Sequence, residues 1–253
     1  MIEILKYENN LINEWDSFIE RSNNGTIFHK QKFLSYHITR SFQDHSLLFK
    51  KRGKIIAVFP AAKQRKKSKK ILFSHPGASF GGIVYNHLTY EDCQKILALI
   101  ENEALENNFD DIFIIQPPTV FCKYQNDEII DYCLRRRNYN SNENYLTSVL
   151  LVEENVNNQI RKICRNKNRS ESYYNKLIET NSLSFKWVSR FDDLYPILVK
   201  NKKKHNASPT HSLEELEKLR ILFPNDVLQL MLYKDVAIGG MTIFRANQKS
   251  III

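Results

Sequence analysis

The sequence predicts a mixed α/β chain of the α+β kind, with mixed sheets flanked by helices in two tandem domains, the second of them incomplete. Three observations predict this. Three- and four-residue apolar periodicity alternates with short apolar runs, as expected where helices alternate with strands. Two hairpins of similar length, Leu47 to Phe59 and Leu230 to Phe244, each follow a pair of helices. That order of helix, helix and three antiparallel strands occurs twice, which reads as a duplicated unit.

From the N-terminus, Leu11, Ile12, Trp15, Phe18 and Ile19 fall on one face of a helix from Leu11 to Arg21, ended by Asn23-Asn24-Gly25. A second short helix is predicted from Lys30 to Ser41, with Phe33, Leu34 and Tyr36 to bury. Ser46 to Phe49 opens a strand, Lys51-Arg52-Gly53 turns the chain, and Ile55 to Phe59 returns it. A basic link leads to a third strand, Ile71 to Phe73. Thr89 and Asp92 stand at capping-box spacing before the helical pattern Ile96, Leu97, Leu99, Ile100, Ala104 and Leu105, with Asp where Glu is usual. The unbroken run Ile112 to Ile115 predicts a buried strand stopped by Pro117-Pro118. Asn126-Asp127-Glu128 then caps a helix carrying Ile129, Ile130, Cys133 and Leu134, and Tyr145 to Val152 returns as strand. The first domain, residues 1–152, closes there.

The second domain, residues 153–253, opens with a strongly basic helix over 155–179 whose apolar positions are Val156, Ile160, Ile163, Tyr173, Tyr174, Leu177 and Ile178. A strand at Phe185 to Val188 follows, then a helix from Asp192 to Lys204 and another headed by a Ser212/Glu215 capping box. Val227 to Tyr233, the turn Lys234-Asp235, Val236 to Phe244 and a third strand from Lys249 to Ile253 complete the order. In the first copy helix and strand continue past the third strand, and in the second they do not, which would leave an apolar edge uncovered. The expectation is a fragment or truncated product, or a partner chain that supplies the cover.

Composition narrows the function. With 253 residues, 42% hydrophobic and 26% charged, the chain is ordinarily globular rather than disordered, and no run of about 18 apolar residues is present to cross a bilayer. No export signal heads Met1-Ile2-Glu3-Ile4, so the expected location is cytoplasmic. Cys93, Cys122, Cys133 and Cys164 lie far apart without a C-x-x-C pair and read as reduced structural thiols. The net charge of +9 suits a polyanionic partner such as nucleic acid, a phosphate-bearing ligand or an anionic membrane surface. Lysine outnumbers arginine 24 to 13 amid abundant Asn and Ile, so part of that charge is compositional drift.

The densest special segment is Ser74-His75-Pro76-Gly77-Ala78-Ser79-Phe80-Gly81-Gly82, which holds three of the seven glycines. Something there comes close to backbone: a ligand, with His75 as proton carrier and Ser74 and Ser79 as hydroxyls, or simply the protein's own tight turn. Neither G-x-x-x-x-G-K-[ST] nor G-x-G-x-x-G is present, so NTP hydrolysis and dinucleotide binding lose their main support. Pro209-Thr210-His211-Ser212 sets an imidazole and hydroxyls at a helix entrance, where Ser212 is explained as the cap and His211 is not. His75 and His211 are the candidate bases, because an imidazole titrates near neutral pH. No compact metal pattern such as H-E-x-x-H occurs.

Three basic clusters differ in kind. Lys63 to Lys70 reads as a solvated link, and Arg135-Arg136-Arg137 is a second, shorter run. Arg161, Arg165 and Arg169 at i, i+4 and i+8 make one helical stripe able to grip phosphates, or a merely solvated face. Nucleic-acid recognition would want aromatics interleaved with the charges, and they are missing.

Together, Trp15-Asp16-Ser17-Phe18, Asn24-Gly25-Thr26-Ile27-Phe28-His29, the 74–82 loop, Pro117-Pro118, the arginine-rich helix and Thr210-His211-Ser212-Leu213-Glu214-Glu215-Leu216 resemble the FemAB-like branch of the GNAT acyltransferase superfamily. Members are built of two GNAT-like domains. The resemblance implies an N-acyltransferase that takes its acyl group from acetyl-CoA or another acyl-CoA, or in the Fem branch from aminoacyl-tRNA. The acceptor it implies is an amine on a cell-envelope saccharide or peptidoglycan precursor, a small molecule that is often nucleotide- or lipid-linked, with peripheral membrane contact. No metal and no DNA are implied, and tRNA only for a Fem-type reaction. It makes His75 and His211 the catalytic candidates and gives substrate-binding roles to Ser74, Gly77, Ser79, Gly81, Gly82, Arg161, Arg165, Arg169 and Thr210. The sequence departs from the family where a Q/R-x-x-G-x-G/A pyrophosphate loop is due: none follows the last strand, and the His75 loop lacks the spacing. This chain alone is therefore expected to bind acceptor rather than turn over. The rival reading is a non-catalytic basic module for phosphorylated ligands or RNA.

Overall fold

The computed structural model describes residues 1–38, 40–124, 127–143, 148–166, 170–248 and 250–253. The fold is mixed α+β. Its elements in chain order are β1 (Ile2–Lys6), α1 (Ile12–Arg21), α2 (Gln31–Leu34), β2 (Gln43–Asp44), β3 (Leu47–Lys51), β4 (Lys54–Phe59), β5 (Ala62–Lys66), β6 (Lys69–Ser74), β7 (Val84–Tyr85), α3 (Tyr90–Glu106), β8 (Asp111–Ile114) and α4 (Ile129–Arg136). There follow α5 (Val156–Asn166), α6 (Glu171–Thr180), β9 (Ser184–Val188), α7 (Leu194–Lys203), α8 (Leu213–Leu222), β10 (Val227–Lys234), β11 (Val236–Arg245) and β12 (Ile251–Ile252). The chain divides into two compact units, one of residues 1–142, 221–226 and 244–252, the other of residues 143–220, 227–243 and 253.

In the first unit, Leu47-Leu48-Phe49 and Ala57-Val58-Phe59 are buried without alternation because their sheet, ordered β1-β3-β4-β7, is covered on both faces. Trp15, Phe18 and Ile19 of α1 pack against Leu48, Val58 and Val84. Leu47, Phe49, Ala57 and Phe59 instead join Ile96, Leu97 and Ile100 of α3 and Cys133 and Leu134 of α4. A second sheet runs β2-β5-β6-β8, antiparallel except for its last pair, where β6 and β8 are parallel from Ile71↔Asp111 to Ser74↔Ile114. Helix α3 makes the crossover between those two strands, as parallel pairing requires. The Thr89 hydroxyl caps α3 by accepting from the Asp92 N–H at 3.1 Å. The Asp92 carboxylate pairs with Lys51 at 2.7 Å, so the box is only half made.

The same unit includes the end of the chain's last hairpin. The Ile27 N–H donates to the Ala246 carbonyl at 2.7 Å, Asn247 Nδ2 donates to the Phe121 carbonyl at 2.9 Å, and Phe244 packs on Phe28. A further sheet runs β9-β10-β11-β12. Its first two strands flank α7 and α8 as β1 and β3 flank α1 and α2, so the two sheets share one strand order.

Several elements differ from the sequence reading. Ile2–Lys6 is a strand paired with β3. The basic link Lys63 to Lys70 is a β-hairpin, Ala62–Lys66 paired with Lys69–Ser74; its lysines hid the strand because the tip projects into solvent. The helix expected over Lys30 to Ser41 stops at Leu34, since beyond Ser35 the His37 ring is drawn to the Gly77 carbonyl. The basic helix over 155–179 is two helices, α5 and α6, the second begun by Ser170, whose hydroxyl accepts from the Tyr173 N–H. Of the strand expected from Tyr145 to Val152, residues 145–147 lie outside the described residues and 148–152 form no strand, having no sheet neighbour. The final strand is confined to Ile251–Ile252. All four cysteines are free thiols, and among the described residues no helix is long and apolar enough to cross a membrane.

Candidate functional site

Ligands of α/β sheets gather outside the carboxyl ends of parallel strands. Here those ends are Ser74 and Ile114, and the 74–82 loop leaves the first of them. The loop is stapled across its base: Ser74 Oγ donates to the Pro60 carbonyl at 2.5 Å and accepts from the Gly82 N–H at 2.9 Å, while the Gly81 N–H reaches the Ile115 carbonyl at 2.9 Å.

Histidines hold the loop from both sides. The Thr26 N–H donates to His29 Nδ1 at 3.0 Å, so His29 Nε2 carries the proton and donates to the Gly81 carbonyl at 2.9 Å. His29 is fully buried, and loss of solvation pushes its pKa down to about 4. His37 is arranged likewise: Arg40 Nη2 donates to its Nδ1 at 3.1 Å, and its Nε2 donates to the Gly77 carbonyl at 2.8 Å. His75, 2% exposed, accepts the Gly77 N–H on Nδ1 at 3.0 Å. Burial, reinforced by His37, lowers its pKa to about 3. His75 is therefore a neutral imidazole with its proton on Nε2, which has no hydrogen-bond partner among the described residues.

The glycines are explained by close approach. A Cβ on Gly77 would stand 2.8 Å from the Phe42 ring and 2.9 Å from His37 Nε2. One on Gly81 would meet the Ser74 and His75 backbone at 2.6 Å. Gly82 has φ +86°, and a Cβ there would lie 2.5 Å from Gln116 Oε1. Phe80 anchors the loop by packing on Phe28, His29 and Phe121. Ser79 alone of the named loop residues is exposed.

In the second unit, the Ser212 N–H donates to Glu215 Oε2 at 3.2 Å and the Glu215 N–H donates to Ser212 Oγ at 3.1 Å, a complete capping box at the head of α8. His211, just outside the box, is half-buried, with Nδ1 3.8 Å from the buried Glu215 carboxylate. The Tyr195 hydroxyl donates to the His211 carbonyl at 3.3 Å. Thr210 is exposed. Arg161 and Arg165 are exposed on α5, Arg161 lying 3.6 Å from Glu171. Helix α5 ends at Asn166, and Arg169 lies outside the described residues.

The structure thus gathers Ser74, His75, Gly77, Gly81 and Gly82 in one loop of the first unit, and His211, Thr210, Arg161 and Arg165 on two elements of the second. Sequence reasoning missed His37, Phe42 and Gln116, whose contacts with the loop span tens of residues and leave no local pattern. His29 had one legible signal, its three-residue spacing from Thr26.

No protein-family model matches the sequence, and no curated protein matches it. Among solved structures, FemX matches with a TM-score of 0.57 and 11% identity over 91% of this chain and 57% of its own, so the chain spans little more than half the length of FemX. A GNAT family acetyltransferase of Staphylococcus aureus matches with a TM-score of 0.35 and 14% identity over 59% of this chain and 98% of its own. An aminoglycoside acetyltransferase from an uncultured soil metagenomic sample, crystallised with sisomicin, matches with a TM-score of 0.38 and 12% identity over 60% of this chain and 97% of its own. It is the FemX likeness, running through nearly the whole chain, that assigns the fold: the chain is folded like FemX.

Proposed function

We propose that the chain belongs to an N-acyltransferase that moves an acyl group from acyl-CoA, or alternatively from aminoacyl-tRNA, to an amine of a cell-envelope saccharide or peptidoglycan precursor. The observation that carries this reading is the FemX-like fold over 91% of the chain. The same reading treats residues 1–152 and 153–253 as two GNAT-like halves, in keeping with their shared strand order.

Acyl transfer needs a neutral amine, a base to take its proton, and donors for the oxyanion. His211 is suited to the base: a half-buried imidazole beside a buried carboxylate that can stabilise its protonated form. His75 is suited to a different task, because its Nδ1 is occupied and its Nε2–H is left to donate to a carbonyl oxygen of the ligand. Ser79 and Thr210 offer exposed hydroxyls, and Arg161 and Arg165 offer guanidinium groups for the phosphates of a nucleotide- or lipid-linked acceptor. Ser74, Gly77, Gly81 and Gly82 serve by shaping the loop.

The test incubates the full-length protein with labelled acetyl-CoA and an amino-sugar nucleotide, then with aminoacyl-tRNA in place of acetyl-CoA, and follows acylated product by mass spectrometry. Product in either arm supports the reading. Salt-sensitive RNA binding with no product in both arms replaces it with the basic binding module.

A further inference from the structure

Within the first unit, the three arginines at the C-terminal end of α4 are put to three different uses. Arg135 pairs with Asp131, one turn back, at 3.0 Å. Arg137 closes on Glu101 of α3, donating from Nε to Oε1 at 2.8 Å and from Nη2 to Oε2, while its Nη1 donates to Gln94 Oε1 at 3.1 Å. Arg136 is exposed and makes no ion pair among the described residues. Arg137 thereby fixes the Gln94 amide. With Oε1 committed to the guanidinium, Nε2 is turned the other way, and this buried nitrogen has no hydrogen-bond partner among the described residues. A buried donor left unmade costs more than one hydrogen bond contributes, so an acceptor is due there.

Gln94 and Arg136 line one open cleft of about 270 Å³ between α3 and α4, together with Tyr90, Glu101 and Arg137. Tyr90 is braced by Tyr132, the ring centroids 6.0 Å apart. The charges of this cleft do not cancel. Its lining holds two guanidinium groups and one carboxylate, and Arg137 engages both oxygens of that carboxylate. Asp131, the one acid of α4, is taken by Arg135, and Glu128 stands at the opposite end of the helix. Of the other acids of α3, Asp92 and Glu103 pair with Lys51 and Lys6, while Glu91 and Glu106 lie outside the lining. What the cleft has to spare is a guanidinium and an amide NH2, which are donors and positive charge without a free carboxylate. That is the recognition chemistry of a small oxyanion, the guanidinium supplying charge-assisted hydrogen bonds and the amide a further one.

We infer that the cleft between α3 and α4 binds a small oxyanion, the phosphate or carboxylate group of a metabolite, held by Arg136 and by Gln94 Nε2. The site stands apart from the acyl-transfer reading: none of its residues has a part in that reaction, and its readout is binding alone.

The test is isothermal titration calorimetry of the full chain with inorganic phosphate and, separately, with succinate, at constant ionic strength. Saturable binding of one equivalent with a Kd of about 1 mM or tighter is expected, and the probe that binds more tightly tells a phosphate site from a carboxylate site. Arg136→Gln is expected to weaken binding about tenfold or more, because it removes the charge-assisted hydrogen bonds. Gln94→Met, which keeps the length of the side chain and removes the N–H, is expected to weaken it about threefold or more. Arg135→Gln removes the same charge from a residue outside the cleft and is expected to leave binding unchanged. Arg135 and Arg136 are both exposed, so both variants retain the fold, which circular dichroism verifies. The inference is overturned if neither probe saturates in this range, if Arg136→Gln binds as well as the parent, or if Arg135→Gln weakens binding as much as Arg136→Gln, the mark of attraction to overall charge.

Discussion

His29 and Gly81 are joined by a 2.9 Å hydrogen bond from the imidazole Nε2 to the glycine carbonyl, across 52 residues of sequence. The bond needs His29 neutral on Nδ1, where the Thr26 N–H is received. Unfolded, that imidazole takes a proton near pH 6.5; folded, only near about 4. Unfolding therefore takes up a proton between these values, so stability is full above pH 6.5 and falls as pH drops toward 4, by about 3 kcal/mol from this residue. Urea unfolding at pH 7.0 and 5.0 checks the slope. His29→Gln, which does not titrate, should be less stable at neutral pH and show a shallower decline.

Gly82→Ala should be destabilised by about 1–3 kcal/mol, because it combines a left-handed backbone with a Cβ 2.5 Å from Gln116 Oε1. Gly239→Ala has nothing within 4 Å and should shift stability by less than about 0.5 kcal/mol. Denaturant midpoints of the two variants against the parent decide the matter.

Removing the Ser212 hydroxyl leaves the Glu215 N–H at the head of α8 without its acceptor. Ser212→Ala should cost about 1 kcal/mol, whereas Ser212→Asp, which restores an acceptor at the cap, should recover most of it.

If His211 takes the proton from the acceptor amine, His211→Ala should lower kcat by about a hundredfold or more with the fold intact. Glu215→Gln, which removes the charge 3.8 Å away, should lower it less. An unchanged kcat in His211→Ala would place the base elsewhere.

Elements whose causes are local were legible. The Ser212/Glu215 box, the Arg52-Gly53 and Lys234-Asp235 turns, and the helix carrying Ile96, Leu97 and Ile100 stand where periodicity and cap chemistry put them. The β5–β6 hairpin was hidden because register is set by partners in space, and Lys63, Arg65 and Lys66 look like any solvated link. At the site the 74–82 loop announced itself by its glycines, yet not what crowds them: Phe42, His37 and Gln116 approach from 34 or more residues away, and no spacing rule reaches that far. The bounds of the basic helix were misread for the opposite reason, because its period was carried past a cap signal, Ser170-Glu171, that starts a new helix.

The hydrogen bonds from Ile27 to Ala246 and from Asn247 to Phe121 tie the opening turns of the chain to residues made more than a hundred positions later. During synthesis, the Thr26–His29 turn has no lasting partner on that side until residue 246 has left the ribosome. Folding of the first unit is thus a late event with high contact order, and a chain stalled before residue 244 would lack the cover that Phe244 gives Phe28, leaving only Phe33 and Phe80 against it.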